Sequence, residues 1–406
     1  MGSKKINVAF FLNAAPTNGG GFQYEVRALQ ILKKSQPADF DFLFFASRKD
    51  VVHAHKKTGH NITLIKACLL SRIYTFFLKN RLFFMIAKEL RLPRNKRERL
   101  IEETLTKTFE TDLIYFLSPS THVLNLINIP YIMTVWDLCH RDFSEFPEVR
   151  NNGQFEKRED LYGCGLRKAV AITVDSPEGK KKLTRRYGID DNRVHVLKFL
   201  PPADNVDSLP SIDIKNKYNL SHDYIFYPAQ FWAHKNHIYI LKAIKLLKEQ
   251  HNKKIDVVFS GFDKGNLSYI LQKAKDFGID ELVHHIGFVA DEEIPSLYRQ
   301  ALSLVMPTYF GPTNLPPLEA FTYDCPVCYS DLDGLREQVG EAAFLMDLED
   351  PKSLAQHLMT IITDKKIVEG KRAKGKEILH SWNDEDFSDV ILNIIKKYKH
   401  IRECWQ

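Results

Sequence analysis

Short apolar runs without polar alternation recur along this chain, each followed by a stretch with helical spacing. That rhythm restricts the fold more than any other feature. Ile6–Leu12 reads as a first strand, followed by a glycine turn (Gly19, Gly20, Gly21) and a helical pattern over residues 22–34. Residues 42–46, 113–117, 131–135 and 170–174 are further buried runs. A strand that is apolar on both sides belongs to a sheet covered on both faces, and such sheets are usually parallel.

A polar, proline-bracketed stretch, PPADNVDSLPS at 201–211, is the natural linker. Beyond it the rhythm restarts. Strands are expected at 225–228, 255–261, 283–287, 304–306 and 326–329, and helices at 238–250, 267–277, 291–302 and 316–323. Such alternation implies right-handed crossovers and doubly wound sheets. The 406 residues exceed the roughly 250–300 at which one core stops growing, so two domains are expected. The expected architecture is α/β: two Rossmann-like, doubly wound parallel-sheet domains, 1–203 and 211–384, facing a central cleft. A final helix at about 385–406 returns to the first domain. Ligands in such folds bind beyond the carboxyl ends of the strands.

Composition narrows the function classes. Hydrophobic residues at 44% and charged residues at 27% exclude long disorder and collagen-like repeats. Lys+Arg 57 against Asp+Glu 51 gives +6, enough to permit an anionic ligand and too diffuse for a nucleic-acid reader. No run reaches the ~18 apolar residues of a membrane span, and the N-terminus lacks a signal-peptide cleavage site. The six cysteines sit mostly in apolar runs, which suits a cytoplasmic protein. Cys325 and Cys328 form a lone C-x-x-C on an apolar strand without two further zinc ligands, so they are expected as buried thiols, with no bound metal. Residues 66–99 break the rhythm by mixing Phe76, Phe77, Phe83 and Phe84 with Arg72, Lys79, Arg81 and Lys88. They read either as a helical pair on the first sheet or as a peripheral contact with an anionic membrane surface.

Three loops carry chemistry. Gly19-Gly20-Gly21 opens a helix directly after a strand, where backbone N–H groups and close approach suit a phosphate; a plain tight turn reads equally well. Lys235 stands before a helix in the loop after the strand at 225–228, where its charge is a candidate to add to the helix dipole facing a diphosphate, or is simply a solvated loop lysine. In MPTYFGPTNLPPLEA a helix begins near Pro316, so the N–H groups of Asn314 and Leu315 are candidates to face an anion. Glu319, one turn in, is a candidate acceptor for ribose hydroxyls, or simply a charge complementing the dipole.

Together these segments resemble the retaining nucleotide-sugar glycosyltransferases of family four, which have the GT-B fold. In that family an Arg and a Lys bind the donor pyrophosphate; here Gln230 and Lys235 occupy those places. The family loop Glu-Gly-Phe-Gly-Leu-Pro-Pro-Leu-Glu reads FGPTNLPPLE here. Glu319 matches the second glutamate, which the resemblance assigns to the ribose. Gly311 stands where the first glutamate usually touches the sugar, and Thr313 and Asn314 are the candidate substitutes. By resemblance Phe288 and Val289 meet the nucleobase; an ordinary hydrophobic turn is the alternative. The family's His-Asp pair in the first domain is Trp136-Asp137 here. Asp137 is then expected to orient its loop or bind the acceptor. His140, three residues on, is a candidate for a direct role in the cleft or for a structural one, with Arg141 and Asp142 on the acceptor side.

The resemblance implies transfer of a hexose from a GDP-, dTDP- or UDP-sugar to a hydroxyl of a glycan or lipid-linked oligosaccharide, with retention and without a metal. The setting it implies is bacterial surface polysaccharide (O-antigen or capsule) at the inner face of the membrane. A catalytically altered sugar-nucleotide-binding subunit, a GT-B epimerase and a phosphorylase are the alternatives.

Overall fold

The computed structural model describes residues 5–15, 19–65, 96–201, 211–311 and 313–405, with the side chains of 96–100 excepted. Most of the basic-aromatic segment and of the polar linker lies outside the described residues.

Two parallel sheets organise the chain. The first contains β1 (Ile6–Leu12), β2 (Phe40–Ala46), β3 (Thr63–Leu64), β4 (Leu113–Phe116), β5 (Tyr131–Val135), β6 (Ala171–Val174) and β7 (Val194–Val196), in the order β3-β2-β1-β4-β5-β6-β7. The second contains β8 (Tyr224–Pro228), β9 (Asp256–Ser260), β10 (Val283–His285), β11 (Ser303–Met306), β12 (Val327–Ser330) and β13 (Phe344–Met346), in the order β10-β9-β8-β11-β12-β13. Every pairing is parallel. These are the two doubly wound sheets expected from the apolar runs.

The central strands explain the pattern. Every residue of β4, β5, β6, β9, β11 and β12 is buried, because helices cover both faces. The order reverses between β1 and β4 and again between β8 and β11. At such switch points adjacent loops diverge and leave a crevice at the carboxyl ends of the strands.

The helix Asp384–Arg402 packs on the first domain. Asn383 caps it through a capping box with Asp386. Phe387, Ile391, Ile394 and Ile395 enter the first domain's core, and Tyr398 Oη donates to Asp112 O at 2.7 Å. Arg27 and Lys399 add ion pairs to Asp384 and Asp39, both at 2.6 Å. Cys325 and Cys328 are buried free thiols, pushed up to about 12 by burial. Among the described residues no cluster of three His, Cys, Asp or Glu can hold a metal, and no helix is long and apolar enough to cross a membrane.

Candidate active site

The candidate residues collect on loops at the carboxyl ends of β1, β5, β8, β10 and β11. Gly19 caps the helix Gly20–Lys34 with φ +59°, a conformation glycine adopts without strain. A β-carbon on Gly21 would stand 2.8 Å from Trp136 Cη2, and one on Gly20 would stand 3.2 Å from Leu315 Cδ1. The glycine turn therefore lets the first domain lie directly against Trp136 and against the start of a second-domain helix. Glu25, one turn into the first helix and fully buried, accepts from Asn13 N at 2.9 Å and Ala14 N at 3.0 Å. It ties the end of β1 to that helix.

Lys235 lies in a short turn after β8 (Ala233–Lys235), where Tyr227 Oη donates to its carbonyl at 2.9 Å. Its ammonium has no hydrogen-bonded or ion-paired partner among the described residues. Burial pulls it down to about 8, while Cys139, Asp137 and Glu148 of the first domain hold it up. The lysine therefore faces the other domain. Its neighbour His234 joins the domains directly: His234 N donates to Glu148 Oε1 at 2.8 Å, and its ring stacks on Phe310 at 4.1 Å. Burial drives the His234 imidazole down to about 4, so it is neutral at physiological pH. Around it Phe143 and Phe146 pack on Tyr309 and Phe310, an aromatic joint between the domains.

Asp137 caps the turn after β5 by accepting from Cys139 N at 3.0 Å, and Arg158 Nη1 lies 2.5 Å from the same oxygen. Burial raises the Asp137 carboxyl, but the Arg158 guanidinium and the Cys139 N–H outweigh it and hold the group at about 2. An open cavity in the cleft is lined by Trp136, Asp137, Asp142 and Lys182 of the first domain and by Tyr309, Gly311 and Asp333 of the second. Neither Lys235 nor Glu319 is among its lining residues.

The structure turns His140 away from this cavity. Its side chain is fully buried, with Nε2 2.7 Å from Glu159 Oε1 and 3.3 Å from Tyr187 Oη. The reason is helical spacing: within the turn Cys139–Asp142, positions 139 and 142 share the face toward the cavity, and 140 and 141 fall on the other. Arg141 accordingly pairs with Glu159, while Asp142 lines the cavity, held by Lys182 and Arg186.

The loop after β11 also departs from expectation. Asn314 N is not free: it donates to Gln338 Oε1 at 3.0 Å, and Gln338 Nε2 returns a bond to Asn314 O at 2.6 Å. Asn314 Nδ2 donates to Tyr329 Oη at 2.7 Å. Because Pro316 and Pro317 carry no N–H, Leu315 supplies the one backbone donor in the first three positions of the helix Leu315–Thr322. Thr313 Oγ1 donates to Asp175 of the first domain. Gly311 has φ +88°, and a β-carbon there would stand 2.9 Å from Thr313 O. Glu319 accepts from Tyr298 Oη at 2.7 Å through Oε2, and burial raises its carboxyl.

Gln230 Oε1 accepts from Trp232 Nε1 at 3.1 Å. Val289 is buried, whereas Phe288 is 62% exposed and stacks on the 41%-exposed Phe262 at 5.4 Å. Sequence reading missed Glu148, Arg158, Asp175 and Gln338. Each matters as a partner of a residue far away in the chain, so no local spacing marks it.

Residues 210–377 match the family model described as glycosyl transferases group 1. The chain is 25% identical over 254 residues to O-antigen chain mannosyltransferase B of Escherichia coli, covering 62% of this chain and 66% of that protein. It is 25% identical over 193 residues to an O-antigen chain mannosyltransferase of Salmonella typhimurium, covering 48% and 51%. The chain thus spans between about half and two-thirds of the length of these relatives. Its fold is that of a glycosyltransferase from Rickettsia africae (TM-score 0.67, 15% identity, 98% and 99% covered). The fold also matches Anabaena HepE solved with UDP and glucose (TM-score 0.69, 13% identity, 97% and 100% covered). The chain thus has the two-sheet fold of these glycosyltransferase structures, with a region similar to glycosyl transferases group 1 in its second half.

Proposed function

We propose that the protein transfers a hexose from a nucleoside-diphosphate sugar to a hydroxyl of a glycan or lipid-linked oligosaccharide, with retention at the anomeric carbon. The observation that carries this reading is the half-buried Lys235 ammonium, beside Asp137, Cys139 and Glu148 of the first domain and without a hydrogen-bonded protein partner among the described residues. A cation in that state stabilises the charge that grows on a departing diphosphate more than it would in water.

In this reading Lys235 and the Leu315 N–H receive the diphosphate, and the glycine turn after β1 lets it approach the first domain closely. The free oxygen of Glu319 takes a ribose hydroxyl, with Tyr298 fixing the other. The bond from the anomeric carbon to the phosphate oxygen breaks as the acceptor oxygen attacks the same face, and the acceptor proton passes to the departing phosphate. No metal is assigned a part. The acceptor enters the cavity between Asp137, Asp142 and Tyr309, where carboxylates and aromatic faces suit sugar hydroxyls and ring C–H groups. The named activity of the O-antigen relatives supports a place in surface-polysaccharide assembly, at the inner face of the cell membrane.

A thermal-shift panel of UDP, GDP, dTDP and their hexose conjugates tests the reading. One nucleotide series is expected to raise Tm with increasing concentration, as a native-state ligand must. If none moves Tm, the donor site is wrongly assigned. Binding without sugar transfer to any glycan would instead favour a catalytically altered binding subunit.

A further inference from the structure

Asp175 follows β6 in the first domain, is 2% exposed, and is not among the residues lining the cavity. Its Oδ2 accepts from Thr313 Oγ1 of the second domain at 2.5 Å, and its Oδ1 accepts from Ser176 Oγ at 3.2 Å. A β-carbon on Gly179 would stand 3.1 Å from that same Oδ1. The carboxylate is therefore enclosed on the first domain's side, and among the described residues its hydrogen bond to the second domain goes to Thr313.

The contact is specific in kind. Other polar anchors of the loop around Thr313 come from both domains: Gln338 and Tyr329 hold Asn314, and the Gly311 backbone hydrogen-bonds to the Cys139 thiol of the first domain. Other polar bridges between the domains, Glu148 to His234 and the long 3.5 Å contact of Gln23 with Asp291, act on different segments. Asp175 is thus the first domain's charged hold, beside the Cys139 thiol, on the segment that carries Gly311 and leads into Leu315. A buried carboxyl is costly unless its acceptors are used, so its presence here, where an apolar residue would pack at lower cost, calls for a use of both oxygens.

We infer that Asp175 is a positioning residue: by accepting from the Thr313 hydroxyl it sets the Gly311–Leu315 loop against the first domain, in the geometry that receives the donor. The donor part of this inference rests on the function proposed above; the contact itself does not. Burial raises the Asp175 carboxyl to about 7, with Asp137 adding to the rise and the Thr313 and Ser176 hydroxyls opposing it. Tyr24 and Tyr329 are the other titratable groups facing it.

Hydrogen exchange on the full-length, ligand-free protein tests the contact. Thr313→Val, which keeps the shape and removes the hydroxyl, is expected to speed exchange of the 311–322 amides about fivefold, the loss of one buried hydrogen bond. Thr313→Ser is expected to restore the wild-type rate. Asp175→Ala is expected to match Thr313→Val in this segment, and the double variant to exchange no faster than either. Wild-type exchange in Thr313→Val, or effects that multiply in the double variant, overturns the inference. The same variants are then titrated with UDP, GDP and dTDP. Weaker binding by Thr313→Val, rescued by Thr313→Ser, is expected; faster exchange with unchanged affinity overturns the donor part. If the wild type binds none of the three, the glycosyltransferase reading fails, while the exchange result still decides the contact.

Discussion

Gly20 of the first domain lies so close to Leu315 of the second that a β-carbon on it would stand 3.2 Å from Leu315 Cδ1. The glycine turn and the start of the Leu315–Thr322 helix therefore form two sides of one seam. Gly21 is tighter, at 2.8 Å from the Trp136 ring. Leu315 Cδ1 is the end of a flexible side chain and can yield, whereas an indole ring moves as a rigid unit. Gly20→Ala is therefore expected to fold with Tm within a few degrees of wild type. Gly21→Ala is expected to cost about 1–3 kcal/mol, as overpacking does. Urea denaturation of the two variants checks the contrast, and equal losses would contradict it.

Lys235 predicts a pH dependence with a definite sign. Burial lowers its ammonium to about 8 in the unliganded cleft. A bound diphosphate favours the charged form and raises that value, so binding takes up a proton at pH above 8. Nucleotide affinity is then expected to be level with respect to this group below about pH 7.5. It falls as pH climbs through 8, approaching tenfold per unit, until the raised value of the complex is passed. Titration calorimetry in two buffers of different ionisation enthalpy reads the proton uptake directly. Lys235→Ala is expected to abolish the slope and to lower affinity at pH 7 by roughly tenfold to a hundredfold, the range for a charged hydrogen bond.

Glu319 depends on one partner. Its Oε2 accepts from Tyr298 Oη at 2.7 Å, and burial already pushes its carboxyl up. Tyr298→Phe removes the hydrogen bond that opposes this rise, so the carboxyl rises further and the fold loses about 1–3 kcal/mol at neutral pH. The sign follows from linkage: a group whose folded value is raised binds more protons folded than unfolded, so the penalty grows as pH increases past the unfolded value near 4. Glu319→Gln is expected to be as stable as wild type or more so, yet to bind nucleotide several-fold more weakly. Denaturation at pH 5 and pH 8 together with a nucleotide titration separates the two effects.

Much of the architecture was legible because central strands of a doubly wound sheet are apolar on both faces, as in β4, β5, β9 and β11. The edge strands β3, β7 and β13 were not, since two or three residues show no period and become strands only by pairing with a neighbour. The placing of Lys235, Glu319 and the glycine turn at the strand ends could be read from loop positions. Their partners could not. Asn314 looked like a free donor until Gln338, 24 residues on, took its N–H. His140 looked available until the four-residue turn Cys139–Asp142 set its face inward toward Glu159. Short-range spacing shows which residues share an element, whereas the direction of a side chain depends on contacts that sequence distance hides.

Gly311 gives the sharpest prediction, because the sequence resemblance puts a glutamate at its place. Its backbone sits at φ +88°, and a β-carbon would stand 2.9 Å from Thr313 O and 3.2 Å from Asn314 Nδ2. A positive φ costs a non-glycine residue about 1–2 kcal/mol, and the backbone carbonyl of Thr313 cannot swing aside as a side chain end would. Gly311→Ala is therefore expected to lower stability by about 2–3 kcal/mol and to disturb Thr313 on the way to Asp175. Gly311→Glu, which puts in the glutamate that the resemblance expects, is expected to lose at least as much stability and to bind nucleotide more weakly, because this loop is built around a residue without a side chain. Chemical denaturation and a nucleotide titration of both variants provide the check. A Gly311→Glu protein that is as stable as wild type and binds donor more tightly would show that the loop accommodates the side chain after all, and that glycine here is a loss and not a requirement.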